Sequence, residues 1–308
     1  MLRFHAILLC AAVLLLWAFP CLLFADVVPA PQGRIYAFTG ASAGAGEFLV
    51  FDSVTLAQIS GVTPTSHGGA DLAVDDTGRL FGHFQGIGGT TYLREYDPLT
   101  FSVLNETSFP SGLTGLAARG GRLYSYTEMG SMVTFDANTL AQTSGPAPTS
   151  HGTQELAFDE TGRLFGHYQV GATTNLVEYN PVSLSVIHQT SFAAGLSGLA
   201  VRNGVLYTFT DTGSLLTYDG STLAQTSGIA PTSHPEMDLA FDQAGRLFGT
   251  YQISATTHLV QIDPITRGII NEVTFPAGIT GLAAITIPEP AALGFLGFAG
   301  LLAIRRRR

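Results

Sequence analysis

The stretch that decides the fold is "FDSVTLAQISGVTPTSHGGADLAVDDTGRLFGHFQ", residues Phe51–Gln85. It returns as "FDANTLAQTSGPAPTSHGTQELAFDETGRLFGHYQ" at Phe135–Gln169 and as "YDGSTLAQTSGIAPTSHPEMDLAFDQAGRLFGTYQ" at Tyr218–Gln252. The copies are offset by 84 and 83 residues. Similarity at a fixed period is typical of repeat architectures, so the chain is predicted to consist of tandem copies of one unit.

Each copy divides into two shorter halves. The segments "ELAFDETGRLFGHYQ" and "GLAVRNGVLYTFT" share one pattern, although their sequences have diverged. Marker leucines recur at steps of 40 or 43 residues, at Leu116, Leu156, Leu199, Leu239 and Leu282. The structural unit is therefore about 42 residues long.

One unit contains signals for four strands. The segments "ELAFD", "RLFGHYQ", "NLVEYN" and "SVIHQTSF" alternate apolar and polar residues, and turn residues separate them. Alternation with a period of two, bounded by Gly, Pro, Asn and Asp, indicates strands and hairpins. Four short antiparallel strands repeated every 40 to 45 residues predict an all-β fold, a β-propeller.

The number of units predicts how the propeller closes. Five complete units begin near Asp71, Gly115, Glu155, Gly198 and Asp238. The segment from "GRIYAFTG" to "FDSVTLAQ" lacks a first strand, and "GLAAITI" from Gly281 supplies only a first strand. We expect residues 26–287 to form a six-bladed propeller of three double-blade repeats, closed by this C-terminal strand, which leaves no open sheet edge. An open solenoid with polar caps is the alternative.

The amino-acid composition of the predicted propeller, residues 26–287, excludes some classes of binding partner and chemistry. Residues 26–287 contain nine arginines, 22 acidic residues and no lysine, a net charge of −13. Nucleic-acid binding needs clustered positive charge, so nucleic acid is not an expected partner. The two cysteines, Cys10 and Cys21, both lie before residue 26, which excludes disulfides and thiol chemistry in the body.

The N-terminus resembles an export signal. Arg3 is followed by the apolar run "HAILLCAAVLLLWAFPCLLFA", which ends in small residues. These are the parts of a secretory signal peptide, predicted as residues 1–25 with cleavage after Ala25. Cleavage after Ala30 and an uncleaved membrane anchor are the alternatives.

The C-terminus carries a second targeting feature. Pro288, Glu289 and Pro290 are followed by fourteen uncharged, mostly apolar residues and then by Arg305, Arg306, Arg307 and Arg308. A helix over residues 291–304 would span about 21 Å, short of a bilayer core of about 30 Å. The arginine side chains can reach the headgroups, and their charge favours the cytoplasmic side. A transmembrane tail is therefore expected to hold the body outside.

Residues 287–308 resemble the sorting signal of PEP-CTERM proteins of Gram-negative bacteria, which combine Pro-Glu-Pro, an apolar stretch and a terminal arginine cluster. The resemblance implies recognition by an exosortase, a membrane protease, with cleavage near Pro288 to Pro290. It further implies an inner-membrane precursor that is released or attached at the cell surface, in bacteria that make exopolysaccharide and biofilm matrix. Ala291 departs from the serine or threonine often found there.

The repeated acidic turns are predicted to be structural. "DTG" at Asp76 matches an aspartic-protease triplet, but its counterparts "ETG" at Glu160 and "QAG" at Gln243 indicate a hairpin turn. The preceding acids are expected to bind turn amides, and residues before prolines are expected to start turns. The first group is Asp75, Asp159 and Asp242, and the second is Asp97, Asn180 and Asp263.

Two classes of function remain open for the body. The first is a non-enzymatic surface protein that binds a glycan or a protein. The alternative is an enzyme like the six-bladed lactonases and lyases, which need an asymmetric cluster of carboxylates, amides or histidine. Three near-identical copies favour binding, and neither a cofactor nor a metal is expected.

The motif "PTSH" gives the candidate binding residues. It recurs just before the inner strand of every second blade and is predicted to lie on one face of the propeller. This face would collect His67, His151 and His234, and the acids four residues later, Asp71, Glu155 and Asp238. We expect three weak sites for a repetitive ligand such as an exopolysaccharide, strengthened by multivalency. Duplication of a good turn is the alternative.

Overall fold

The computed structural model describes residues 33–40, 46–59, 63–65, 69–86, 90–144, 147–148, 155–193, 195–227, 230–231, 236–254, 256–276 and 278–286. These residues form strands and turns, and none of them is helical. Residues 33–287 make up one compact unit. The all-β prediction is confirmed for the described part of the chain. A helical segment long and apolar enough for a transmembrane span is likewise not found among these residues.

The strands are short and evenly distributed along the chain. They are β1 (Gly33–Gly40), β2 (Gly46–Asp52), β3 (Thr63–Thr65), β4 (Gly69–Val74), β5 (Leu80–Gln85), β6 (Thr91–Tyr96), β7 (Val103–Phe109), β8 (Leu113–Arg119), β9 (Arg122–Thr127), β10 (Ser131–Asp136), β11 (Ala147–Pro148), β12 (Leu156–Phe158), β13 (Leu164–Val170), β14 (Thr173–Tyr179), β15 (Val186–Phe192), β16 (Leu196–Arg202), β17 (Val205–Thr210), β18 (Ser214–Asp219), β19 (Ala230–Pro231), β20 (Glu236–Phe241), β21 (Leu247–Ile253), β22 (Thr256–Ile262), β23 (Ile269–Phe275) and β24 (Gly278–Thr286).

The described strands pair into six antiparallel sheets of four. Sheet 1 has the order β24-β1-β2-β3, and sheets 2 to 6 are β4–β7, β8–β11, β12–β15, β16–β19 and β20–β23. Sheet 1 thus joins the two ends of the body, because β24 pairs with β1 from Gly33↔Thr286 to Gly40↔Gly278. We call β24, β4, β8, β12, β16 and β20 the inner strands. Each inner strand contacts the inner strands of two other sheets.

The apolar core lies in the seams between neighbouring sheets. Six clusters of buried side chains join sheets 1 and 2, 2 and 3, 3 and 4, 4 and 5, 5 and 6, and 6 and 1 among the described residues. Burying one Leu, Ile, Val or Phe side chain stabilises a fold by about 1.5–3 kcal/mol, so the seams hold the sheets together.

A Leu-Ala pair in each inner strand links two seams. Leu72 packs against sheet 1, and Ala73, on the opposite face of the strand, packs against sheet 3. The other pairs repeat this arrangement, including Leu282 against sheet 6 and Ala283 against sheet 2. The second residue of each pair is the small alanine because the inner strands lie close to one another at that position.

The predicted turn chemistry is confirmed. Asp75 Oδ1 accepts the backbone N–H groups of Thr77 and Arg79, each at 2.9 Å. Asp159 and Asp242 repeat this contact with the turns that follow them. The residues before prolines also bind amides two and three positions later, at Asp97, Asn180 and Asp263.

Candidate functional site

Part of the predicted site lies outside the described residues. This applies to His67, His151 and His234, and to the tail motif at Pro288, Glu289, Pro290 and Arg305–Arg308. The three predicted acids, however, belong to the described residues, and the structure gives their surroundings.

These acids, which we call the acid trio, occupy equivalent places in sheets 2, 4 and 6. Asp71 lies in β4, Asp238 lies in β20, and Glu155 immediately precedes β12. Each of them stands directly before the leucine of the Leu-Ala pair. The trio therefore marks the N-terminal ends of three alternate inner strands.

Two members of the trio connect adjacent sheets. Asp71 accepts the N–H of the residue that follows it at 2.7 Å, and the N–H of Leu116 in sheet 3 at 2.5 Å. Asp238 accepts the next N–H at 2.7 Å and the N–H of Leu282 in sheet 1 at 2.5 Å. Each carboxyl thus satisfies two buried amides in two different strands, which is a structural role.

Glu155 breaks this pattern. Its side chain is one methylene longer than aspartate, is partly buried and accepts no hydrogen bond from the described residues. Loss of solvation raises its pKa from 4.5 to about 7. Glu155 therefore carries a carboxyl group that binds no backbone amide of the described residues and has a pKa of about 7.

The three carboxyl groups also repel one another. Burial raises the pKa of Asp71 well above its usual range, and the charges of Glu155 and Asp238 raise it further. Burial and the charge of Glu155 likewise raise the pKa of Asp238, while its two amide contacts lower it. The carboxyl groups of the acid trio therefore keep their protons at pH values where fully solvated carboxyl groups are ionised.

Two buried histidines lie across from the trio. His83 pairs with Asp71 in the register of β4 and β5, and the N–H of His167 donates to the carbonyl of Glu155 at 3.2 Å. Both rings are buried and make no side-chain hydrogen bond of normal geometry. Burial lowers the pKa of each to about 4, although the backbone of a nearby glycine opposes the shift. Both histidines are therefore neutral at pH 7.

Sequence reasoning did not select these histidines. The signal was present, because "GHFQ" and "GHYQ" place histidine where the third copy has Thr250 in "GTYQ". A pattern of alternating residues does not tell which side of a strand faces a crowded seam. No group of His, Cys, Asp and Glu side chains among the described residues is arranged to hold a metal ion.

The third strand of sheet 2 begins at the same end as the trio. Thr91 at the start of β6 is buried, and its hydroxyl accepts the N–H of Leu113 at the start of inner strand β8 at 3.2 Å. Thr174 and Thr257 are also buried in sheets 4 and 6, but their hydroxyls bind none of the described residues. The Thr91 hydroxyl therefore has a structural role.

At their other ends the inner strands surround a cavity of about 490 Å³. We call it the central cavity. Its walls are Leu, Ala, Val and Phe side chains from all six inner strands, and its rim carries charges. The acidic rim residues come from the turns of sheets 2, 4 and 6, and the basic ones are Arg119 and Arg202 from sheets 3 and 5.

The two rim arginines bind the turns of the next sheets. Arg119 donates to the carbonyls of Asp159 and Glu160, both at 2.7 Å. Arg202 donates to the carbonyls of Asp242 at 2.9 Å and Gln243 at 3.1 Å. Each guanidinium thereby joins an odd-numbered sheet to the even-numbered sheet that follows.

Comparison with known proteins supports the fold. No family model and no curated protein matches this chain. The chain is similar to the β-propeller domain of Cps50 (Swd1) from Myceliophteria thermophila, with 11% identity, a TM-score of 0.57, and coverage of 85% of this chain and 92% of that chain. It is similar to TolB from Acinetobacter baumannii, with 14% identity, a TM-score of 0.60, and coverage of 83% and 67%.

A third similar structure is a quinonprotein alcohol dehydrogenase-like protein from Bacteroides thetaiotaomicron. The identity is 14%, the TM-score is 0.50, and the match covers 80% of this chain and 68% of that chain. Similarity at such low identity shows the fold alone and says nothing about activity. The four-stranded antiparallel sheets and these structural relatives together identify the body as a β-propeller.

Proposed function

We propose that this chain is an exported surface or matrix protein whose body is a closed six-bladed propeller that binds a repetitive glycan, or a protein partner, without catalysing a reaction. The observation that carries the binding proposal is the placement of the acid trio. Three near-identical repeats put a carboxyl group at the same end of three alternate inner strands, and the sequence carries a histidine four residues before each of them.

Closure at six blades is supported by sheet 1 and its two seams. β24 supplies the inner strand that the N-terminal segment lacks, and it pairs with β1. The side chains of β24 pack against both sheet 6 and sheet 2, and the N–H of Leu282 donates to Asp238. A contact from the last sheet to the first is what a closed ring needs.

Export and sorting rest on the two termini. Residues 1–25 have the composition of a signal peptide, and residues 288–308 resemble a PEP-CTERM sorting signal. The proposed partner is an exosortase-type membrane protease, and the proposed route runs from an inner-membrane precursor to the cell surface. Intact-mass analysis of the surface form should find both termini removed, whereas retention of Arg308 would contradict this route.

The binding proposal is tested by removing the histidines one at a time. Retention of the purified protein on exopolysaccharide matrix should fall stepwise as His67, His151 and His234 are replaced by alanine, because the sites act together. His188→Ala is the matched control, since His188 is an exposed histidine on outer strand β15. Unchanged binding by a folded triple variant would overturn the proposal.

One observation favours the enzymatic alternative. Glu155 differs from its two counterparts, binds no backbone amide of the described residues and has a pKa of about 7, which suits a proton donor or acceptor at neutral pH. Screening the protein against lactones and polysaccharides tests this alternative. Turnover that is lost in Glu155→Gln, but kept in His188→Ala, would favour an enzyme over a binding protein.

A further inference from the structure

The rim of the central cavity lacks one arginine. In β8 and β16 the segment Gly-Leu-Ala is followed by Ala-Arg or Val-Arg, and in β24 it is followed by Ala284 and Ile285. The guanidinium groups of Arg119 and Arg202 lie against the turn glycines of sheets 4 and 6, and the Cδ1 atom of Ile285 lies against the corresponding Gly78 of sheet 2. Isoleucine ends in a methyl group at this place and cannot donate a hydrogen bond to the turn.

The turn of sheet 2 is therefore left without the cation that its counterparts receive. Each arginine donates two hydrogen bonds to two successive turn carbonyls. The equivalent carbonyls of Asp75 and Asp76 accept no side-chain donor from the described residues, and Ile285 does not line the cavity. The side chain of Asp76 is exposed at the rim, and among the described residues its Oδ1 accepts only the N–H of Gly120, at 3.3 Å.

The charged groups at the rim also favour a cationic ligand at the turn of sheet 2. The carboxyl groups exposed at the rim are those of Asp76 and Glu160: Glu160 lies 3.8 Å from Arg202, whereas Asp76 has no arginine within 4 Å among the described residues. Both guanidinium groups are already bound to carbonyls. The cavity volume of about 490 Å³ lies within the range of small-molecule sites, about 300–1,000 Å³. Its apolar walls can take an alkyl or aryl group.

We propose that the central cavity binds a small organic cation, an alkyl or aryl guanidinium or primary ammonium. The cationic group donates hydrogen bonds to the turn carbonyls of sheet 2, as Arg119 and Arg202 do at sheets 4 and 6, and the apolar part lies against the cavity wall. This site is at the opposite end of the inner strands from the acid trio and is independent of the proposed glycan binding.

Calorimetric titration with phenethylguanidinium, and with phenethylurea as a neutral isostere, tests this site. The cation should bind at least about tenfold more tightly than the urea, which corresponds to about 1.4 kcal/mol. Asp76→Asn keeps an acceptor for the Gly120 amide but removes the charge, and should weaken binding of the cation about tenfold. Glu160→Gln is the matched control, because Arg119 already serves that turn, and should change binding less than about twofold.

Ile285→Arg supplies the missing arginine within the chain. It should abolish binding of the cation, whereas Ile285→Leu should leave binding intact. Equal binding of the urea, an equal loss in Glu160→Gln and Asp76→Asn, or no binding of phenethylguanidinium at millimolar concentration would each overturn the proposal. The comparison of the two probes on the unaltered protein decides the matter even where the arginine variant fails to fold.

Discussion

Three equivalent residues have different roles in the acid trio. Asp71 and Asp238 each bind two amides in adjacent strands, so they hold neighbouring sheets together. Glu155 has the same place and charge but binds neither amide. The carboxyl group with one additional methylene thus lacks, among the described residues, the two amide contacts that give Asp71 and Asp238 a structural role.

Asp238→Ala should destabilise the protein far more than Glu155→Gln. The alanine leaves two buried N–H groups without an acceptor, at about 1–3 kcal/mol each. Glu155→Gln removes repulsion from the other two acids and should raise stability above pH 7, because the raised pKa of Glu155 means that its deprotonation opposes folding. Urea unfolding followed by circular dichroism measures both effects. Equal losses would contradict these roles.

The two buried histidines should make the fold sensitive to acid. Their pKa is about 4 in the fold and about 6.5 in an unfolded chain, so the unfolded state binds more protons between these values. Stability should therefore fall as pH falls from 6.5 to 4, by up to about 3 kcal/mol for each ring. The double variant His83→Thr/His167→Thr installs the residue found at Thr250 and should remove most of this loss. Parallel stability curves for both proteins would show that the rings do not titrate with unfolding.

At the scale of strands, the repeated sequence pattern predicts structural features that no single residue predicts. Alternation and turn residues predicted the strands, the aspartate turns and the strand "GLAAITI" that pairs with β1. They could not predict the bond from Asp238 to Leu282 or the burial of His167, because both depend on how two sheets approach each other. The sequence also does not show that Ile285 stands where an arginine would bind the turn of sheet 2, because the contacts of Arg119 are seen only in the structure.

The inner strands β24 and β4 approach each other so closely that position 281 can hold only glycine. Gly281 has a φ of +72°, and a Cβ there would lie 2.8 Å from the Cα of Asp71. Gly281→Ala should therefore lower the free energy of unfolding by more than about 2 kcal/mol. Gly120→Ala is the matched control, because its φ is +58° with no atom within 4 Å of the new methyl, and should cost only about 1–2 kcal/mol. Similar thermal midpoints for both variants would argue against close contact between sheets 1 and 2.

At the scale of the whole molecule, the inner strands carry two kinds of polar contact between sheets. Carboxyl groups of sheets 2 and 6 reach forward to sheets 3 and 1, and arginines of sheets 3 and 5 reach forward to sheets 4 and 6. The two sets lie at opposite ends of the inner strands. The double repeat therefore gives the body one face marked by carboxyl groups and a second face with a charged cavity rim, which separates the proposed glycan site from the cation site.

The proposed closure of a six-bladed ring by β24 is tested with two truncated proteins, one ending at Ile287 and one ending at Thr280. The shorter protein loses Leu282, Ala283 and Ile285 from two seams and one partner of Asp238, a loss of about 5 kcal/mol or more. Its thermal midpoint should lie at least about 10 °C below that of the longer protein. The longer protein should match the full chain, because it retains both seams. Equal midpoints for the two truncated proteins would contradict a closed six-bladed ring.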